Sequence, residues 1–278
     1  MEISYEKDHV CLKGVKQFDE KRIFECGQAF RFDPCDNGGY MGVAFGSVLR
    51  VTRDGDTVRL YGATQESFEK IWFDYFDLER DYDSVASALS IDDTMRKATK
   101  CGYGIRILRQ DPFEALISFI ISQNNNIPRI KGIVNRLCSM FGTPCGDTGF
   151  YSFPDAPTLA ALSKEQLAPL RAGFRDDYIL CAARSVASGE TDLQALKKCS
   201  YEQAVTELKK LRGVGPKVAD CVALFGLGHI EAFPIDVWMK RILQQYYNTP
   251  DFTPEIFAPY GGIAQQYLFY FARQNALN

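Results

Sequence analysis

Apolar positions recur along this chain in two different periods. In the first hundred residues, Tyr40 to Thr52 and Thr57 to Tyr61 are rich in Val, Leu and Tyr, and Asp54-Gly55-Asp56 between them has hairpin-turn composition. Both segments are expected as strands. Phe68 to Phe76 reads as helical, and a charged stretch from Asp81 leads to Cys101-Gly102-Tyr103-Gly104, a candidate domain boundary. From about residue 104 the period becomes 3.6. Ile130, Ile133, Val134, Leu137, Cys138 and Phe141 fall at i, i+3, i+4, i+7, i+8 and i+11, which is one apolar helix stripe. Asp111-Pro112 supplies an N-cap and a first-turn proline to the helix before it. Pro144, Gly146 and Gly149 interrupt the pattern, and helices resume near Thr158, Ser163 and Tyr201. The expected fold class is α+β, with an N-terminal α+β domain over residues 1–103 and a helical region over 104–278.

Composition narrows the function. A hydrophobic content of 46% allows a full core, and a charged fraction of 24% argues against wholesale disorder. The net charge of −3 disfavours a protein that coats nucleic acid non-specifically, though not a local basic face. Nine cysteines without C-x-x-C spacing and only two histidines, His9 and His229, give no zinc signature. Scattered cysteines fit a reducing compartment. The first 25 residues carry Glu2, Glu6, Lys7, Asp8, Lys13 and Lys16, and no 18-residue apolar run occurs. A cytoplasmic protein is expected, nuclear if its host has a nucleus.

The stretch Leu208 to Asp236 carries the chemistry. A helix ending near Leu211, the turn Gly213-Val214-Gly215-Pro216 and a second helix from Pro216 or Lys217 make a helix-hairpin-helix at about residues 201–228. Lys209, Lys210, Arg212 and Lys217 crowd this turn, with no acid from Leu208 to Ala219. Such a helix N-terminus suits a phosphate, and a helix turn with a solvated basic rim is the plainer alternative. The segment resembles the helix-hairpin-helix plus Gly/Pro-Asp signature of base-excision DNA glycosylases. It shows L-x-G-V-G-x-K-x-A at Leu211 to Ala219, then Pro234-Ile235-Asp236-Val237. The resemblance makes Lys217 the nucleophile and Asp236 its partner, and the lysine implies an enzyme that also nicks the abasic strand. The positive end of a helix and neighbouring cations favour the uncharged amine that attack on C1′ requires. A carboxylate at Asp236 would stabilise positive charge developing on the sugar. A surface lysine and a routine aspartate N-cap are the bland alternatives.

Four further patches resemble the 8-oxoguanine DNA glycosylase family. In Gly27-Gln28-Ala29-Phe30-Arg31-Phe32 the glycine is implied to offer its carbonyl to the N7 hydrogen that guanine lacks. In Ser122-Gln123-Asn124-Asn125-Asn126-Ile127-Pro128-Arg129-Ile130, Asn124 is implied to fill the hole left by the flipped base, and Arg129 to contact the orphaned cytosine. Three asparagines in a row favour a loop. Ala172-Gly173-Phe174-Arg175-Asp176-Asp177-Tyr178 is similar to the element whose aromatic, here Phe174, wedges beside that cytosine while Arg175 bonds its edge. In Phe257 to Phe269, Gln265 is implied to bond the base's Watson–Crick edge and Phe269 to stack on its face, with Cys221 opposite. Each has an ordinary structural alternative: a turn glycine, a capping loop, a helix start, a core Phe or Cys. The family usually shows Ser at Gln123, Ala at Pro128, a basic residue at Asp177 and His at Trp238.

The resemblance implies an antiparallel N-terminal sheet, a cleft between two helical subdomains, and a monomer whose partner is double-stranded DNA with a damaged purine. No organic cofactor and no catalytic metal are implied; a structural monovalent cation at carbonyls near Gly213 and Gly215 fits the hairpin. The last cysteine is Cys221, so the iron–sulfur cluster of the endonuclease III branch is not expected. One rival is the same superfamily acting on another lesion, such as an alkylated base. A second is a non-catalytic helix-hairpin-helix module, which has no use for Asp236.

Overall fold

The computed structural model of the protein describes residues 1–249 and 252–276. Six strands, β1 (Glu2–Tyr5), β2 (His9–Lys13), β3 (Phe32–Pro34), β4 (Tyr40–Ala44), β5 (Ser47–Asp54) and β6 (Thr57–Tyr61), form one antiparallel sheet in the order β1-β2-β6-β5-β4-β3. The single strand expected over Tyr40 to Thr52 is two strands. Phe45 and Gly46 turn the chain at φ 50° and 71°, and Ala44 pairs with Ser47. A phenylalanine in a tight turn gives no turn signal, which is why the run looked continuous.

Alternation sets the buried face. Val10 and Leu12 of β2, Leu49 and Val51 of β5, and Val58 and Leu60 of β6 are fully buried, while Cys11, Arg50 and Arg59 between them are not. That face packs on an aromatic layer from Phe18, Phe24, Phe32, Trp72, Tyr75 and Phe76, with the Phe24 and Phe32 rings stacked 4.2 Å apart. The expected helix at Phe68–Phe76 is a π-turn at Phe68–Trp72 followed by a short α-turn at Phe73–Tyr75.

Ten helices matter below: α1 (Glu20–Glu25), α2 (Tyr82–Leu89), α3 (Asp93–Cys101), α4 (Pro112–Ser122), α5 (Ile127–Phe141), α6 (Arg175–Ala187), α7 (Tyr201–Leu208), α8 (Pro216–Val222), α9 (Val237–Tyr246) and α10 (Gly261–Ala276). They enclose a second core around α4, whose Ala115, Leu116, Ile117, Ile120 and Ile121 are completely buried. Asp111 caps α4 by accepting from Phe113 N and Glu114 N, with Pro112 in the first turn. Helices α2 and α3 lie before residue 103 yet contribute Tyr82, Val85, Leu89, Met95 and Ala98 to this helical core. Their polar residues, serines on α2 and charges on α3, are the solvated faces of two amphipathic helices. A Cβ on Gly102 would lie 2.5 Å from the Tyr267 ring, so α10 crosses the end of α3 at glycine-only distance.

Buried polar side chains join the two cores. Gln28 Nε2 donates to Ile23 O at 3.0 Å and Arg106 O at 2.8 Å, its Oε1 accepts from Leu108 N, and Gln110 Nε2 donates to Gln28 O. Lys131 of α5 donates to Phe32 O, and Arg273 of α10 to Glu25 O. These bonds hold the Gly27 loop against the segment that leads into α4, and against α5 and α10. Among the described residues, no helix is long and apolar enough to cross a membrane.

Candidate active site

The hairpin joins α7 to α8. Gly213 takes φ +86°, and a Cβ there would sit 2.3 Å from Tyr178 Cγ, so the backbone lies directly on the tyrosine ring of α6. Gly215 does not share this left-handed conformation. Its φ is −89°, and nothing lies within 4 Å of where a Cβ would be. The fold therefore leaves open space beside Gly215, at a helix N-terminus without a side-chain cap.

Lys217, in the first turn of α8, is half-buried. Its Nζ donates to Ser122 Oγ at 3.2 Å and stands 5.3 Å from the centre of the Phe119 ring. Asp236 caps α9 by accepting from Met239 N at 2.7 Å. Three cavities, of about 670, 450 and 50 Å3, all have Lys217 and Asp236 on their walls. The lysine and the aspartate thus stand where three spaces meet.

The smallest chamber is walled by Gly27, Phe119, Cys221, Gln265 and Phe269 among others, which brings together the four residues expected around a base. Alone it has room for little more than a water. The 450 Å3 cavity shares Gly27, Phe119 and Phe269 with it and adds Asn126, Ile127, Pro128 and Trp238, giving space for a purine at its mouth. Gly27 needs its glycine for φ +85°, and a Cβ would meet Ile127 Cδ1 at 3.4 Å. Burial pushes the Cys221 thiol up to about 11, so it offers a neutral sulfur face rather than a thiolate. Gln265 and Phe269 project from α10, and the Arg273 guanidinium lies 5.7 Å from the Phe269 ring centre.

The largest cavity is bordered by Ser122 to Asn126, Arg129, Gly215, Pro216 and Trp238. Asn124 is exposed and left-handed at φ +49°, a conformation asparagine tolerates better than most residues. Arg129 is exposed, its backbone N–H held by the Asn126 cap of α5. Phe174 is 52% exposed, as a wedge must be. Arg175 sits apart from that expectation. It is 4% exposed and donates to the carbonyls of Gln123, Ala172 and Asn124, so its guanidinium supports the asparagine loop from beneath. Neither Phe174, Arg175 nor Gly213 borders the cavities at Lys217.

Sequence reasoning assigned no role to Ser122, Phe119 or Arg273, all of which touch the site. Ser122 lies within the Ser122–Ile130 motif, whereas Phe119 has the pattern of an ordinary core residue and Arg273 that of an ordinary surface cation. Gln123, where the family usually has Ser, donates from Nε2 to Gly213 O at 3.0 Å, the hairpin carbonyl that a cation would otherwise use. Among the described residues, no cluster of three or more His, Cys, Asp or Glu is placed to hold a metal.

A helix-hairpin-helix presenting a lysine beside an aspartate-capped helix is the architecture of one class of base-excision repair proteins. Residues 117–258 match the HhH-GPD superfamily base excision DNA repair protein family, and residues 10–116 match the 8-oxoguanine DNA glycosylase N-terminal domain. The chain belongs to the 8-oxoguanine DNA glycosylase family of that superfamily. It is similar to an N-glycosylase/DNA lyase of Saccharomyces cerevisiae, 42% identical over 52% of this chain and 42% of that one. The chain thus spans less than half the length of this yeast relative. A probable N-glycosylase/DNA lyase of Methanothermobacter thermautotrophicus is 32% identical over 75% of this chain and 76% of its own. Among solved structures, the Clostridium acetobutylicum 8-oxoguanine glycosylase/lyase in complex with double-stranded DNA containing cytosine opposite 8-oxoG is 40% identical. It superposes with a TM-score of 0.94 over 99% of both chains.

Proposed function

We propose that this protein removes 8-oxoguanine from double-stranded DNA and then nicks the strand at the abasic site. The observation that carries the reading is the meeting of three cavities at Lys217 and Asp236. The base is turned out of the duplex into the 450 Å3 cavity against Phe269 and Gly27, its inner edge directed at the small chamber of Cys221 and Gln265, with the Gly27 carbonyl on its N7 hydrogen and Gln265 on its Watson–Crick edge. Asn124 and Arg129 face the cytosine left behind, Phe174 wedges beside it, and Arg175 acts through the loop it supports. The amides of Gly213 and Gly215 take a backbone phosphate.

The Lys217 nitrogen attacks C1′ through its lone pair, and the glycosidic bond breaks with its electron pair leaving on the base, which takes up the proton that the nitrogen sheds. Asp236 stabilises the positive charge on the sugar as that bond lengthens. Ring opening gives an imine between Nζ and C1′. Loss of a C2′ proton then forms the C2′–C3′ double bond and expels the 3′ phosphate. The similarity to enzymes named glycosylase/lyase supports both halves of this sequence. Nine free cysteines support a reducing compartment, the cytoplasm or a nucleus.

The test is borohydride trapping on a duplex with one 8-oxoguanine opposite cytosine. A covalent adduct forms with the wild type and is absent with Lys217→Gln. No adduct from folded, DNA-binding wild type overturns the lyase half. Excision opposite cytosine runs faster than opposite adenine, and equal rates refute the roles given to the opposite-base residues.

A further inference from the structure

Gln265 and Gln266 are consecutive on α10 and both almost wholly buried, at 5% and 4% exposure. Neighbouring helix positions do not normally face each other. Here the side chains curl together, and Gln266 Nε2 donates to Gln265 Oε1 at 2.8 Å. Two unmet groups remain. Gln266 Oε1 is sealed from solvent without a hydrogen-bond partner, a costly state for an amide oxygen. Gln265 Nε2 donates to no protein group among the described residues. Both residues border the inner chamber at Lys217, whose other walls include Phe119, Phe225, Pro234 and Phe269. In that apolar setting the two amides are the neutral groups best able to read a base edge.

We infer that Gln266 is a specificity-determining residue that fixes which end of the Gln265 amide meets the flipped base. This rests on the function proposed above. By donating to Gln265 Oε1, Gln266 turns the Gln265 NH2 toward the chamber, where it matches a keto oxygen. The sealed Gln266 Oε1 faces away from the base and takes no part in reading it. A donor at that point selects a 6-oxopurine, which carries a carbonyl there. A 6-aminopurine presents N–H against N–H and leaves the Gln265 amide unpaired. Such a mismatch discriminates strongly because the buried groups have no water to fall back on.

The test compares the full-length wild type, Gln266→Leu and Gln266→Glu on three duplexes, each opposite cytosine: 8-oxoguanine, 8-oxoadenine and a preformed abasic site. Gln266→Leu keeps the size of the side chain and removes both polar ends. It lowers 8-oxoguanine excision on the order of tenfold or more, while abasic-site nicking, which involves no base, stays within about threefold of wild type. Gln266→Glu offers only acceptors, turns the Gln265 oxygen outward, and moves the preference toward 8-oxoadenine. Full 8-oxoguanine excision by Gln266→Leu overturns the inference. So does a parallel loss of abasic-site nicking, which marks a merely structural residue, or an unchanged preference in Gln266→Glu. A wild type that neither excises nor nicks refutes the underlying function instead, and the base preference falls with it.

Discussion

Replacing Gly213 with alanine puts a methyl group where the Tyr178 ring already stands. The added carbon would fall 2.3 Å from Cγ and 2.4 Å from Cδ2, and the residue would keep φ +86°. The left-handed backbone alone costs a non-glycine residue about 1 kcal/mol. Overpacking against a ring held by neighbours adds about 1–3 kcal/mol. Tyr178 has little freedom to yield, because it packs edge-on to Phe174 at 5.8 Å and under Arg212 at 6.0 Å. The expected destabilisation of Gly213→Ala is therefore about 2–4 kcal/mol, measured by urea unfolding. In a Tyr178→Ala background the steric part disappears and about 1 kcal/mol remains, so a double-mutant cycle isolates the ring contact. Gly215→Ala is the matched control. With φ −89° and open space around it, it leaves stability unchanged or raises it by about 0.5 kcal/mol. Its affinity for duplex DNA falls nonetheless, if a phosphate approaches that backbone. Equal costs for Gly213→Ala in both backgrounds, or a cost below about 0.5 kcal/mol, would refute the reasoning.

Asp236→Asn keeps a good N-cap on α9 and leaves thermal stability nearly unchanged, whereas base release slows on the order of a hundredfold for want of the carboxylate; a variant with full activity removes Asp236 from the chemistry. Burial holds the Glu114 carboxyl up at about 7 against an ordinary 4.5, with Arg31 3.5 Å away only partly opposing it. The folded state binds this proton more tightly than the unfolded one, so stability falls as pH rises from about 4.5 to about 7 and levels off above, by on the order of 3 kcal/mol. Unfolding at several pH values tests this, and Glu114→Gln should flatten the slope. Trp238 is 51% exposed at the mouth of the two larger cavities, and the other tryptophan, Trp72, is fully buried. Fluorescence should therefore change on binding an abasic-site duplex in the wild type and stay constant in Trp238→Phe.

Legibility in the sequence followed from how local the cause was. The α4 start was readable because Asp111-Pro112 states cap and first turn within two residues, and the α5 stripe because buried positions repeat over four turns. Strands β1 to β3 went unread: β1 is exposed along its whole length, and β3 is three residues long. Both exist through pairing with distant partners, which no short window displays. Helices α2 and α3 were hidden for another reason. Each is only eight or nine residues long, so Tyr82, Val85 and Leu89 on one and Met95 and Ala98 on the other are too few to display a helical period. The site was readable where chemistry demands particular residues at fixed spacing, as at Lys217 and Asp236. Contacts such as Lys217 to Ser122 join positions far apart in the chain and became visible only in three dimensions.

The burial of Arg175 alters how the opposite-base side of the site has to be understood. Its guanidinium bonds the Gln123 and Asn124 carbonyls, and Gln123 in turn donates to Gly213 O on the hairpin. Gly213 rests on Tyr178, which lies one helical turn beyond Phe174. The asparagine loop, the hairpin and the start of α6 therefore form one closed set of contacts. An element that gripped a phosphate through the hairpin could not shift without moving Gln123, and with it the left-handed Asn124. Arg175 then has two incompatible uses. Either it stays on the carbonyls and fixes the loop that probes the unpaired base, or it leaves them to bond that base and frees the loop. Arg175→Lys separates the two: a single ammonium nitrogen lacks the planar fork that spans carbonyls on two segments, so a supporting role predicts a mobile loop and lower melting temperature even without DNA. A role confined to reading the base predicts an unchanged free protein and a loss seen only in discrimination between opposite bases.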